Sequence, residues 1–384
     1  MCPDLNYHRI CRLEELRAIR AQWQDLEARQ AEKLLSLSHA WHVAWWESFG
    51  INSELALGMV SKGAELVAIV PLHKSSERVG GFQLETTSLL VNGYSPSGGF
   101  LLAPNLDSKT ISEILRLVVV NNPGDLIRLQ KLPVNSAVAQ QVMRGGSLQN
   151  FVGIEQSLKT PVISLQGSWL SHLQTLSSSS RKTVRRKLKR FEKSDELRVQ
   201  KFDISSSNDP VLEDIVAVSA HSWKAESGSD LGNDSVGRKF LWRLINELGS
   251  RRGVSAWVLF AGNKPIAFEL LLHYGGVVYP IRADYDQSYT EVSPGSMLMA
   301  LVLRYLFEAD QDHTYDCCGN NYEYLRSWSK EIRSHIDIDL FSRALLPSLA
   351  YSLKYSVAPF VRNLRQKSQK IAGSSASEGK RAQN

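Results

Sequence analysis

Between Ser180 and Lys193 the chain carries eight basic residues, Arg181, Lys182, Arg185, Arg186, Lys187, Lys189, Arg190 and Lys193, against Glu192 alone, a local charge of +7. Cations at that density suit phosphate, because a guanidinium matches two phosphate oxygens and an ammonium adds a point charge. The run reads as a helix with positive charge all around it, which predicts an element with no buried face. One reading is a solvated linker helix. The other has Arg181, Arg185 and Arg186 contacting a phosphorylated acceptor or donor, such as a sugar nucleotide, a lipid-linked sugar or the 3′-phosphate of coenzyme A. The run has no interleaved aromatics, which argues against nucleic acid.

A second anion site is legible further along. Ser293 is a good N-cap, Pro294 suits the first helical position, and Gly295 lets a ligand approach the backbone. With Ser296 and Met297 they open a helix whose free amides and dipole favour an anion, and a pyrophosphate is the natural guest. The competing reading is a well-capped helix without a ligand. Among groups that move protons, Glu269 lies inside the apolar run Phe268–Leu272, where a carboxylate is costly unless partnered. That makes Glu269 a candidate base if the strand is internal and a solvated side chain if it is an edge. Asp316 ends a short strand and reads either as a turn-forming carboxylate or as a catalytic one. His221 reads as a packing or surface residue. His39 and His42, three apart with no third ligand, read the same way, and no cysteine pair has zinc spacing, so no metal is expected.

These residues need elements to hold them. Helices are expected over 13–26, around Trp41, Trp45 and Trp46, and over 111–120, 135–143, 211–226, 237–248, 296–309 and 321–331. Strands are expected over 55–60, 66–72, 82–90, 126–132, 254–260, 265–273, 277–283, 314–317 and 336–341. The turn at Lys62–Gly63 and the turn at Gly262–Asn263 each join two hydrophobic strands in the same surroundings, which suggests two copies of one α/β unit. The predicted division is an N-terminal unit over 1–155, a C-terminal unit over 156–343 and a basic segment over 344–384, with the junction near Gly145–Pro161. With 384 residues, 43% of them hydrophobic and 22% charged, the chain is long and apolar enough for two cores. The charge of +6 hides an acidic body: residues 351–384 carry +6 by themselves and 180–193 carry +7, which leaves −7 for the remainder. The start lacks a basic stretch followed by an apolar one, so no signal peptide and a cytoplasmic location are expected. Leu345–Lys370 is apolar with basic residues increasing toward its end, is interrupted by Pro347 and Pro359, and reads as docked on the body or lying on an anionic membrane surface.

The strand–loop–helix–strand order over 257–341 resembles the GNAT acyltransferase fold. More narrowly, the chain resembles the bacterial GNAT family typified by CelD-like acetyltransferases of cellulose and exopolysaccharide biosynthesis, which is distantly similar to the Fem aminoacyltransferases. The resemblance rests on Gly262 to Ala267, Tyr285 and Asp286, Ser293 to Gly295, Asp316, Tyr324 to Trp328, and the basic run. Trp41, Trp45, Trp46, Val70 to Leu72, and Tyr94 with Ser95 match less closely, and the whole covers about residues 10–342. It implies two tandem GNAT-like units, each a mixed, mostly antiparallel sheet flanked by helices, with acetyl-CoA or another acyl-CoA held at Ser293–Met297. It also implies Tyr324 as a proton donor and Tyr94 and Ser95 on the acceptor side. The expected reaction is transfer of an acyl group to a hydroxyl or amine of a sugar or polysaccharide precursor, with possible peripheral contact to a membrane or membrane synthase and no sequence-specific nucleic acid. The alternatives are a Fem-like enzyme using aminoacyl-tRNA and a non-catalytic accessory protein. Leu325 stands where the family commonly has Lys, so an oxyanion-stabilising cation is expected to be missing there.

Overall fold

The computed structural model describes residues 4–145, 150–250, 253–319 and 323–358. The N-terminal half holds β1 (Leu5–Ile10), α1 (Leu13–Ala18), α2 (Arg20–Ala28), α3 (His39–Phe49), β2 (Glu54–Leu55), β3 (Leu57–Lys62), β4 (Glu65–Val70), β5 (Leu72–Val79), β6 (Phe82–Leu89), β7 (Leu101–Leu102), α4 (Ser108–Asn121), β8 (Leu126–Pro133), α5 (Ala137–Met143) and β9 (Phe151–Ser164). The C-terminal half holds α6 (Trp169–Thr175), α7 (Ser178–Glu192), β10 (Leu197–Asp203), α8 (Val211–Ala220), α9 (Ser235–Gly249), β11 (Val254–Ala261), β12 (Lys264–Tyr274), β13 (Val277–Tyr285), α10 (Pro294–Ala309), β14 (Thr314–Asp316), α11 (Glu323–Arg326), β15 (Ile332–Phe341) and α12 (Leu345–Ser352).

Among the described residues, four strands pair as β1-β3-β4-β7, and eleven form one sheet in the order β10-β11-β12-β13-β14-β9-β15-β8-β6-β5-β2. Both halves contain a strand, a helix and a parallel return strand. In β6–α4–β8, Thr86 to Ser88 lie opposite Leu126 to Arg128. In β13–α10–β14, Val277 and Val278 lie opposite Thr314 and Tyr315. The last strands of the two halves are exchanged. β9 pairs with β14 of the C-terminal half, and β15 pairs with β8 of the N-terminal half as well as with β9.

The expected junction at 145–161 falls on β9, at 14 residues the longest strand described. Gly145 and Pro161 read as punctuation in sequence. Pro161 instead sits where β9 passes from β15 to β14, with Ile332 opposite Pro161 and Asp316 opposite Val162. A missing ladder donor is tolerated at such a handover.

β11 and β12 are apolar on both faces because both faces are covered. Val254, Ala256 and Val258 face a core shared with α3, α8, α9 and the N-terminal half. Trp257 and Leu259 face a second core under α6, α7 and α10. Across the halves, Trp41 of α3 packs edge-on against Phe240 of α9 with ring centroids 5.0 Å apart. His39 and His42 are buried in this region, bonded to the carbonyls of Leu16 and Ser38, and serve as packing residues.

α7 departs from the expectation of a wholly solvated helix. Val184 and Leu188 are buried and Phe191 packs against the same core, so spacings of four and three give the helix an apolar edge. The helix expected over 321–331 is described only as α11, residues 323–326; Tyr322 lies outside the described residues. The chain leaves the helix because the Ser329 hydroxyl donates to the Val162 carbonyl at 2.5 Å and the Val162 amide donates to the Glu331 carbonyl at 3.0 Å. Those two bonds draw the segment onto β9 instead. Among the described residues no helix is long and apolar enough to cross a membrane.

Candidate active site

β13 and β14 run parallel but pair only at 277–314 and 278–315. An extra residue at Ile281, between Pro280 opposite Leu271 and Arg282 opposite Leu270, bulges β13 and bends it. The two strands therefore diverge as a fork, and their C-terminal ends open beside the start of α10. Asp286 fixes the exit of β13: it accepts from the Ser288 amide at 2.9 Å and hydroxyl at 2.6 Å, and pairs with Lys264 at 2.9 Å. Burial works against its charge, yet these bonds hold its pKa below the ordinary value.

The mouth of α10 has the expected Pro294 at its first position, but Ser293 does not cap it with its side chain. Ser293 has φ 52° and ψ 54°, a left-handed conformation, and makes no side-chain cap bond. The first helical bond runs from the Met297 amide to the Ser293 carbonyl at 3.1 Å, so the amides of Gly295 and Ser296 point out of the helix end. A Cβ on Gly295 would lie 3.2 Å from the Tyr285 ring, so glycine here also fits the closely packed Tyr285.

α7 meets this mouth directly. Lys187 donates to the Ser296 hydroxyl, and Arg190 donates to the Glu291 carbonyl at 3.0 Å. Burial and the neighbouring Arg186 push the Lys187 pKa down. Its bonded partner is neutral, and among the described residues no carboxylate lies within 4.0 Å of it, so its charge is uncompensated. Sequence alone singled out Arg181, Arg185 and Arg186; Arg185 and Arg186 are exposed and Arg181 is half-buried. Lys187 and Arg190 were missed. The signal was present: Lys187 is three residues after Val184 and four before Phe191, and so borders the apolar edge.

Glu269 and Asp316 are not brought together. Adjacent residues of a strand point to opposite faces, and Tyr315 turns to the α10 side while Asp316 turns away. The Tyr315 hydroxyl donates to Glu269 Oε2 at 3.2 Å. Glu269 is level with Ala283 of β13, beyond the last pair with β14, so this bond lies on the opening side of the fork. β12 lies between β11 and β13, and Glu269 is buried. Burial raises its pKa to about 8 against the opposing bond from Tyr315. On the other face, Asp316 accepts from the Cys318 amide at 3.0 Å and pairs with Arg333 at 3.1 Å. Burial raises the Asp316 pKa although Arg333 opposes it.

Tyr324 is exposed on α11, whereas Leu325 is buried in the core that also holds Trp169, Trp328 and Cys317. Leu325 is a core residue. On the N-terminal side, the Tyr94 hydroxyl donates to Asp234 Oδ2 at 2.6 Å, linking the loop after β6 to the cap of α9. Ser95 is buried, and its hydroxyl works within its own turn, accepting from the Asn92 amide at 3.1 Å. Lys131 braces the loop by donating to the carbonyls of Asn92 at 2.7 Å and Ser95 at 2.9 Å. Nearby on β13, the buried Asp284 carboxylate binds Arg282 at 2.8 Å, Lys224 at 2.5 Å and the Ser219 hydroxyl at 2.8 Å. His221, expected as a packing or surface residue, is exposed at the end of α8 and bonds the Ala217 carbonyl at 2.9 Å.

A forked pair of parallel strands with an open helix mouth at its end defines a GNAT-like acyltransferase fold as the class. Residues 178–326, from α7 to α11, match the family described as an acetyltransferase (GNAT) domain. Solved structures extend the likeness across both halves. FemX is similar at 10% identity over 91% of this chain and 99% of its own, with a TM-score of 0.54. The C-terminal domain of a putative lysylphosphatidylglycerol synthetase from Agrobacterium fabrum is similar at 10% identity over 89% and 96%, with a TM-score of 0.54. L-PGS from Bacillus licheniformis follows at 10% identity over 87% and 95%, with a TM-score of 0.52. At such identities these likenesses show the fold alone. No curated protein matches the sequence significantly.

Proposed function

We propose that this chain moves an acyl group, most simply acetyl from acetyl-CoA, to a hydroxyl or amine of a sugar or polysaccharide precursor. The observation that carries the reading is Lys187, a half-buried cation with only a neutral partner, held against the amide-lined mouth of α10. A pyrophosphate suits that place: Gly295 and Ser296 supply amides, and Lys187 and Arg190 supply charge. Acyl transfer forms a bond from the acceptor oxygen or nitrogen to the acyl carbon and breaks the carbon–sulfur bond. The acceptor loses a proton and the thiolate gains one. Glu269, with a pKa of about 8, is largely protonated at neutral pH and suits the proton given to sulfur. Tyr94 and the Arg282–Asp284 cluster mark the acceptor side.

Calorimetry with acetyl-CoA tests the donor site. Micromolar binding is expected, weakened about tenfold or more in Lys187→Ala with unchanged melting temperature. No binding by the unaltered chain would remove the reading. A second reading, an aminoacyl-tRNA donor, draws on the exposed Lys182, Arg185, Arg186 and Lys189, which present a longer cationic track than one cofactor needs. Its mark would be tRNA binding whose affinity falls steeply with salt while acetyl-CoA fails to bind.

A further inference from the structure

We propose that α12 and the helical turn after it form a docking edge that seats the chain on an anionic lipid surface. The inner side of this segment is fixed. Pro347 and Ala350 are buried, and Tyr351 stacks on Phe151 with centroids 5.4 Å apart. Lys354 bonds Asp339 at 2.8 Å and Glu155 at 3.1 Å, and the Tyr355 hydroxyl donates to Asp339 at 3.1 Å. A Cβ on Gly80 would lie 2.9 Å from the Ala350 carbonyl, so the helix rests directly on the turn between β5 and β6.

The outer side is apolar, and among the described residues nothing covers it. Leu345 is 74% exposed, Leu346 50%, Leu349 44%, Leu353 39% and Val357 46%. Four of these recur at intervals of four residues and form one stripe. Since the inner contacts hold the helix in place, it cannot turn the stripe inward. Each of the five still exposes apolar surface, so together they supply a drive toward an apolar phase.

Charge identifies that phase. Arg343 is exposed just before α12, its guanidinium 5.9 Å from the centre of the Phe151 ring. In sequence, the chain beyond the described residues continues with Phe360, Val361 and Leu364 among Arg362, Arg365, Lys367, Lys370, Lys380 and Arg381, against Glu378 alone. An apolar stripe flanked by cations binds the boundary of an anionic bilayer, where Leu enters the acyl region and Lys and Arg meet lipid phosphates. A second copy of this chain is the poorer occupant, because residues 351–384 carry +6 in sequence and like charge opposes self-association.

The test is co-sedimentation of the full chain with vesicles of phosphatidylcholine, with and without phosphatidylglycerol. Binding to the anionic vesicles is expected, reduced by high salt. The triple variant Leu345→Ser, Leu349→Ser, Leu353→Ser alters only exposed positions, so it should keep its melting temperature and bind about tenfold less or weaker. The proposal is overturned if the unaltered chain stays in the supernatant with both vesicles. Undiminished binding by the triple variant also overturns it, because the tail then acts alone. A lipid-free dimer that the triple variant abolishes would assign the stripe to a second copy.

Discussion

The Tyr94 hydroxyl donates to the same Asp234 carboxylate whose other oxygen caps α9 through the Gly237 amide at 2.8 Å. One side chain thus holds a helix end in the C-terminal half and a loop in the N-terminal half. Gly237 is required there, because a Cβ on it would overlap both the Tyr94 hydroxyl and the Asp234 carboxylate.

Tyr94→Phe removes the link and leaves the cap, so a loss of about 1 kcal/mol is expected. Gly237→Ala should cost more than Tyr94→Phe, because it displaces both partners. Urea denaturation of the two variants and their combination checks this. Once the link has already been broken by Gly237→Ala, adding Tyr94→Phe should cost little, whereas simple additivity would show that the bond does not join the halves.

Glu269 makes stability depend on pH. Its pKa in the fold is about 8, above an ordinary value near 4.5, so the folded state holds a proton that the unfolded chain releases. The favourable contribution is complete below pH 4.5 and is lost as pH rises toward 8. Glu269→Gln should therefore gain stability relative to the unaltered chain between pH 5 and 9, by a few kcal/mol in order of magnitude. An equal difference at both pH values would show that Glu269 does not titrate there. Activity reads its role separately: donation to sulfur predicts a rate falling through pH 8, and service as a base predicts a rate rising through it.

Leu325→Lys should not create a catalyst. The new ammonium would enter the apolar core that also holds Trp169 and Trp328, and a loss of about 3 kcal/mol or more is expected. Leu325→Met should cost under about 1.5 kcal/mol. Thermal melts of both, with turnover measured in parallel, check the pair. A stable and faster Lys variant would refute the core assignment.

Ser255, His273 and Asp312 reproduce the hydrogen-bond order of a hydrolase triad, with Ser255 to His273 at 2.9 Å and His273 to Asp312 at 2.8 Å. Ser255 is 1% exposed and lies inside β11, which is paired on both sides, so substrate has no approach. The three residues tie the loop after α10 to the sheet. A serine-directed fluorophosphonate should leave the protein unlabelled, and Asp312→Asn should lower the melting temperature without changing that result.

Much of the C-terminal half was legible because β11, β12 and α10 have long uniform patterns between clear turns. The helix mouth at Pro294 followed from local chemistry, and the internal position of Glu269 was one of two openings left by its apolar strand. β9 was missed because polar residues such as Glu155, Gln156 and Lys159 face solvent or an ion pair along it, and Pro161 imitates a break. β5 was missed for a similar reason, with Lys74, Ser75 and Ser76 in a strand near the sheet edge. The partnership of Lys187 with Ser296 spans 109 positions, and no local pattern encodes it. The burial of Leu325 was not legible because a four-residue helix has too little periodicity to orient a side chain.

The exchange of β9 and β15 governs how the chain can be made. Arg128 of β8 and Asp339 of β15 are bonded at 3.1 Å across 211 positions. During synthesis from the N-terminus, β8 can pair with β6 but waits for its second neighbour until nearly the whole polypeptide has emerged, and β9 waits for both of its neighbours. The first half therefore leaves the ribosome with unpaired strand edges, which are prone to association with other chains. Contacts so remote in sequence also slow the search for the native topology. The nascent N-terminal half is thus the stage at which chaperone protection would matter most, and its release comes only when β15 inserts between β8 and β9.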